Sequence, residues 1–188
     1  MPGMLKDDIS TILSEVTALL DWFDTEPVER LLGLLAACPA VHMAGAGRSG
    51  LLVRCAAMRL MHLGLRVHIP GDTLTPAIRR GDLLLVASGS GETGGLVAMA
   101  RKAREHGAEV ALVTANRAST LSLLADPAVI LEAPTPKAGV IAAVASTQPM
   151  GSLFEQGMFL FFEAIVLELM RRSGQSSADM FARHANLE

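Results

Sequence analysis

Two glycine-rich stretches hold most of the chain's candidate chemistry. Gly45-Ala46-Gly47-Arg48-Ser49-Gly50 follows an apolar run and opens a helix-length segment, a position at which backbone amides can approach a phosphate. It fits the dinucleotide fingerprint letter for letter, and Asp72 lies roughly where an acid for a ribose would be sought. That reading needs a second domain to bring a substrate to a nicotinamide. Ser88-Gly89-Ser90-Gly91-Glu92-Thr93 also joins an apolar run to a helix-length segment. Its glycines admit an anion, the first amides of the helix point outward, and Ser88, Ser90 and Thr93 can donate to phosphate oxygens. Without a Walker-type lysine, the loop suits a terminal sugar phosphate better than a nucleoside triphosphate. Gly47, Arg48, Ser49, Ser88, Ser90 and Thr93 are therefore the candidate substrate-binding residues. The plainer alternatives are a Ser/Gly turn with Thr93 as helix cap, and a solvated Arg48.

These loops require a frame. Apolar residues at 5, 9, 12, 13, 16, 19, 20 and 23 trace one helical face, and Thr25 with Pro27 restarts a second helix through Cys38. Five apolar runs, 40–44, 66–69, 83–87, 109–114 and 128–131, are predicted strands. Helices are predicted over 48–63, stopped by Gly64, over 93–106, stopped by Gly107, and near 119–124. Only a turn at 71–76 and a brief 77–80 segment separate the second and third strands. Non-alternating apolar strands between helices imply a parallel sheet covered on both faces. The expected fold is thus α/β, a three-layer α/β/α sandwich of flavodoxin-like or Rossmann-like type around a five-stranded parallel sheet. The loops at 45–50 and 88–93 and the 72–76 turn would converge at its carboxyl edge. Residues 133–151 read as a long loop, 152–170 as an apolar helix, and a short helix precedes the tail 183–188.

Composition narrows the partners. The 188 residues are 51% hydrophobic and 19% charged, with a net charge of −3, which suits one folded domain. Scattered basic residues and a chain with one Trp and no Tyr offer neither footprint nor stacking platform for nucleic acid. The run from Met158 to Met170 is shorter than the ~20 residues needed to span a bilayer, so no membrane association is expected. Met-Pro-Gly-Met-Leu-Lys-Asp-Asp does not open as a secretory leader, which gives a cytoplasmic expectation. Cys38 and Cys55 read as buried thiols, and His42, His68 and His106 show no metal spacing. Neither a metal nor a redox cofactor is expected.

The chain resembles the sugar isomerase (SIS) superfamily and, within it, the 6-phospho-3-hexuloisomerases. The similar segments are 45–50, Arg59 to Gly64, Asp72 to Pro76, Ser88 to Thr93, Gln148-Pro149-Met150-Gly151-Ser152-Leu153-Phe154-Glu155-Gln156 and the tail Arg183-His184-Ala185-Asn186-Leu187-Glu188. Leu74 departs from a pattern nearer three successive threonines. The resemblance implies one SIS domain over 1–188, with helices in 1–38, the α/β core in 39–132 and helices and tail in 152–188. It further implies interconversion of D-arabino-3-hexulose 6-phosphate and D-fructose 6-phosphate in formaldehyde fixation by the ribulose monophosphate pathway, through a cofactor-free cytoplasmic tetramer. Another sugar-phosphate isomerase or a non-catalytic sugar-phosphate-binding module is the alternative. An enediolate route needs one base over C2 and C3, for which Glu155 is the candidate. His62 and His184 are candidates for opening the sugar ring, the latter if its tail docks, plausibly across a subunit boundary. Arg48 would stabilise enediolate charge or pair with phosphate.

Overall fold

The computed structural model describes residues 2–136, 142 and 144–187. Helices α1 (Pro2–Leu20) and α2 (Thr25–Ala37) open the chain. The order β1 (Val41–Gly45), α3 (Gly47–His62), β2 (Val67–His68), β3 (Leu83–Ala87), α4 (Gly94–Glu105), β4 (Glu109–Thr114), α5 (Thr120–Leu124) and β5 (Ala128–Ile130) follows. The long α6 (Ser152–Ser173) and short α7 (Ser177–Phe181) close it. The sheet runs β2-β1-β3-β4-β5 and is parallel throughout, the expected α/β arrangement.

Alternation along β3 shows why both faces must be covered. Leu83, Leu85 and Ala87 join the core formed with α1, α2, α3 and α6, whereas Leu84 and Val86 join the one formed with α4 and α5. All five are buried, so β3 is the central strand on which the two layers rest. Asp24 caps α2, its carboxylate accepting from the Glu26 amide at 3.0 Å. The helices α3 and α4 end beside Gly64 and Gly107 as predicted. The apolar α6 buries Phe154, Met158, Phe161, Phe162, Ile165 and Leu169 but leaves Leu160 and Leu167 outward. No helix among the described residues is long and apolar enough to cross a membrane.

Two expectations need correction. The strand predicted over 66–69 shrinks to the two residues of β2, which pairs with β1 alone at the sheet edge. Cys55 is exposed and Cys38 half-buried. Helical spacing puts Cys55 between Leu51 and Met58 on the outward stripe of α3, an apolar stripe that faces away from the sheet. Within the predicted 133–151 loop, 137–141 and 143 lie outside the described residues.

Candidate active site

The strand order reverses between β1 and β3, whose following helices leave to opposite faces of the sheet, and this divergence opens a crevice at the strands' carboxyl ends. On the β1 side the chain turns so tightly that a Cβ on Gly50 would stand 2.7 Å from the Gly45 carbonyl oxygen. Glycine at 45 and 50 is thus a packing requirement that seats the start of α3 against β1. No side chain caps α3, because Ala46 occupies its N-cap. The amides at Gly47, Arg48 and Ser49 consequently begin a helix whose positive end has no side-chain acceptor of its own.

On the β3 side the loop is buttressed from beneath. Ser88 Oγ accepts from the Gly91 amide at 3.2 Å and Ser90 Oγ from the Glu92 amide at 3.3 Å. Thr114 Oγ1 and Asn116 Nδ2 donate to the carbonyls of Gly89 and Ser90. The Glu92 carboxylate accepts from the Thr120 amide and hydroxyl at 2.6 and 2.8 Å, which hold it below the usual carboxylate range. Gly91 has φ +67, and a Cβ there would overlap the Ser119 side chain. The two serines are buried, and their oxygens take loop amides as acceptors, leaving each hydroxyl proton to be directed elsewhere. Thr93 makes no side-chain cap bond, contrary to its plainer reading, and Cβ atoms on Gly94 or Gly95 would meet nothing within 4 Å. An open, uncapped helix start with three hydroxyls beside it is an arrangement that can accept an anion.

The first turn of α6 joins both loops. Gly89 lies under the Phe154 ring, which a Cβ would meet at 3.1 Å. Arg48 Nη1 stands 3.1 Å from Glu155 Oε2 and donates to Ser152 Oγ at 3.1 Å. The Glu155 side chain is 16% exposed and that of Arg48 56%, so the carboxylate is partly sheltered while its cation faces the crevice. The first turn of α6 thus touches both loops, at Arg48 through Ser152 and Glu155 and at Gly89 through Phe154.

His62 and His184 are placed elsewhere. Arg48 and His62 stand at opposite ends of α3, about 21 Å apart along the axis at the helical rise per residue. Buried His62 stacks on His184 with ring centroids 5.4 Å apart, and His184 stacks on Phe181 at 5.8 Å. Arg183 Nη1 donates to the His62 carbonyl at 2.9 Å, to Gln175 Oε1 at 2.9 Å and to the Asp179 carbonyl at 3.1 Å. Burial, then the His184 and Arg59 charges, lowers the His62 pKa below its ordinary 6.5. Arg183 and His184 are thus held at the end of α3, but within one chain they sit far from Glu155.

A family model for the SIS domain matches residues 34–158, a span containing both glycine loops and Glu155. The chain belongs to the SIS domain family. It is 45% identical to the 3-hexulose-6-phosphate isomerase of Mycobacterium gastri over 98% of this chain and 92% of that one. Identity to the enzyme of the same name from Bacillus subtilis (strain 168) is 41%, over 96% and 97% of the two chains. A crystal structure from Methanococcus jannaschii, described as inferring a molecular function of 3-hexulose-6-phosphate isomerase, superposes with TM-score 0.84 at 26% identity. That superposition covers 97% of this chain and 99% of the other.

In this SIS domain the 72–76 turn is not an open polar wall of the crevice. Its Asp72 carboxylate is paired with Arg54 at 2.6 and 3.1 Å, and its Thr75 hydroxyl donates to the Ile69 carbonyl. Leu74 points to solvent, 92% exposed. Asp72 and Thr75 instead line a separate cavity of about 480 Å³ with His42, Met99 and Lys102. Among the described residues no three His, Cys, Asp or Glu side chains gather as a metal site. Sequence reasoning missed Ser152, Thr114 and Asn116. Ser152 lies inside a motif already singled out and one helical turn before Gln156, whereas the other two give no signal until β4 is paired with β3.

Proposed function

We propose that this SIS domain is a 3-hexulose-6-phosphate isomerase, interconverting D-arabino-3-hexulose 6-phosphate and D-fructose 6-phosphate. The observation that carries the reading is the Arg48–Glu155 contact, which aims a sheltered carboxylate at the crevice beside the Ser88–Thr93 anion seat. Identity above 40% to two isomerases over nearly their whole length supports it. The phosphate is held by Ser88, Ser90, Thr93 and the first amides of α4, with the amides at Gly47–Ser49 across from it. The sugar's C2–C3 edge then lies over Glu155. From the 3-ketose, Glu155 takes the C2 proton and electrons move to the C3 carbonyl oxygen; the C2 hydroxyl proton then passes to the C3 oxygen, and Glu155 returns its proton to C3, leaving the carbonyl at C2. Arg48, already beside that carboxylate, supplies positive charge to the enediolate oxygens.

Ring opening falls to His62 and His184 of a second copy, because α3 separates them from Glu155 within one chain. Outward apolar residues support association: Leu5, Ile9 and Leu13 on α1, Leu51 and Met58 on α3, and Leu160 and Leu167 on α6. The assembly is a cytoplasmic homotetramer whose physiological work is formaldehyde fixation in the ribulose monophosphate pathway. Proton NMR of fructose 6-phosphate in deuterated water tests the chemistry. Loss of the C3 proton with appearance of 3-hexulose 6-phosphate is expected. Loss of C1 protons instead would assign an aldose–ketose isomerase, and no exchange by folded protein would leave a binding module.

A further inference from the structure

We propose that Glu15, on α1, is a positioning residue for the active site: it clamps the segment that delivers α6, and so sets where Glu155 stands. The proposal rests on the proton-transfer role given above to Glu155. One carboxylate gathers four donors from three consecutive residues. Glu15 Oε1 accepts from the Thr147 amide at 2.8 Å and the Thr147 hydroxyl at 2.9 Å. Its Oε2 accepts from the Ser146 hydroxyl at 2.6 Å and Gln148 Nε2 at 2.9 Å. These bonds fill nearly all the lone-pair sites of an ionised carboxylate and depress its pKa from 4.5 to about 2. A helix residue facing only solvent has no need of such a set, and its partners lie more than 130 positions away in the chain.

What is clamped leads directly into the site. The Gln148 amide donates to Ser146 Oγ, the Ser152 amide to the Pro149 carbonyl and the Glu155 amide to the Gly151 carbonyl. A hydrogen-bonded chain thus runs from the Glu15 carboxylate to the first turn of α6. Within it Met150 holds φ +58, a left-handed conformation that strains a non-glycine residue and needs support from its surroundings. A second contact fixes the helix on the same neighbour: a Cβ on Gly157 would stand 2.6 Å from Leu19 Cδ2. Leu19 lies one turn beyond Glu15, and Gly157 two residues beyond Glu155. Helix α1 therefore grips the catalytic turn on both sides, by polar bonds before it and close packing after it. Displacement by about 1 Å of a reacting group is enough to cost large factors in rate.

The test compares Glu15→Ala and Glu15→Gln in the full chain. Alanine should lower kcat by at least about tenfold at little-changed KM for the sugar phosphate, since the anion seat is untouched. Amide exchange should rise across 146–152 and not in β1 or β3. Glutamine, whose oxygen can still accept from Thr147 while Ser146 and Gln148 reorient, should recover most of the rate. A fold lost outright in the alanine variant is met by Ser146→Ala combined with Thr147→Val, which removes both hydroxyl donors from the loop side and should lower kcat severalfold at little-changed KM. Wild-type kcat in Glu15→Ala, or in that double variant, overturns the positioning role alone. Absence of C3 exchange in the wild-type chain overturns the proposed activity and this role with it.

Discussion

The amino end of α3 presents backbone amides and an Arg48–Glu155 pair near the loop that carries buried Ser88 and Ser90, whereas at its carboxyl end three rings, His62, His184 and Phe181, stack under the grip of Arg183. The first end is built on loops shaped by glycine contacts and by hydroxyls that accept nearby amides, and is completed by Thr114, Asn116 and the first turn of α6. The second joins His62 to Arg183, 121 positions away, and is held mostly by stacking and by one guanidinium. An anion seat can be finished within a single chain because backbone amides come with the helix. A proton carrier such as histidine has no work until a substrate is brought to it, and Glu155 stands at the other end of α3.

Removing the proposed base tests this contrast most severely. Glu155→Gln keeps shape and loses the base, and should lower kcat by about 10³-fold with an unchanged circular dichroism spectrum; a loss under threefold would move the base elsewhere. The separation of the two ends predicts a smaller effect for His184→Ala, about 10²-fold, and one special behaviour. Mixing inactive Glu155→Gln and His184→Ala chains, with exchange of subunits, should restore about a quarter of wild-type activity if each site draws on two copies. No recovery would confine each site to one chain and strip the histidine pair of its role. Ser88→Ala or Ser90→Ala should raise KM about tenfold through a lost hydrogen bond to phosphate, with a lesser fall in kcat. An unchanged KM would reduce the loop to structure.

The smallest effect concerns the ring stack and pH. Because His62 is held below its ordinary 6.5 in the fold, the unfolded chain takes up a proton first as pH falls. The stability that neutral His62 contributes is complete above about pH 6.5 and is lost progressively below it. Buried His42, lowered by desolvation, acts with the same sign. The local signature is therefore the better measurement. Protection of the Arg183 and His184 amides, bonded to Met180 and Phe181, should fall on going from about pH 7.5 to 5.5, and His62→Gln should abolish that dependence.

The strands, the two glycine loops and the sheet type were legible because parallel strands buried on both faces read as continuous apolar runs and loops at their carboxyl ends carry the polar residues. The length of β2 was not, since Arg66-Val67-His68-Ile69 reads as a four-residue strand although the edge position leaves it one neighbour and two paired residues. Cys55 misled for a related reason: apolar neighbours suggest a buried helix face, yet Leu51, Cys55 and Met58 are exposed in the single chain. Glu15 gave no signal, for its donors come from a loop that periodicity cannot place. The distance from His62 to Glu155 was implicit throughout, because a helix predicted over 48–63 already puts Arg48 and His62 at opposite ends.

The length of α3 has a consequence for symmetry. If His62 of one copy reaches the crevice of another about a two-fold axis, the operation that carries the first copy onto the second also carries the second onto the first. The two α3 helices then lie head to tail, and two complete sites arise together. Such an enzyme has no half-assembled form with one working centre. On dilution, turnover per chain should collapse over the range in which the pair dissociates, so the helix that separates the two chemical groups also makes catalysis a property of an even number of chains.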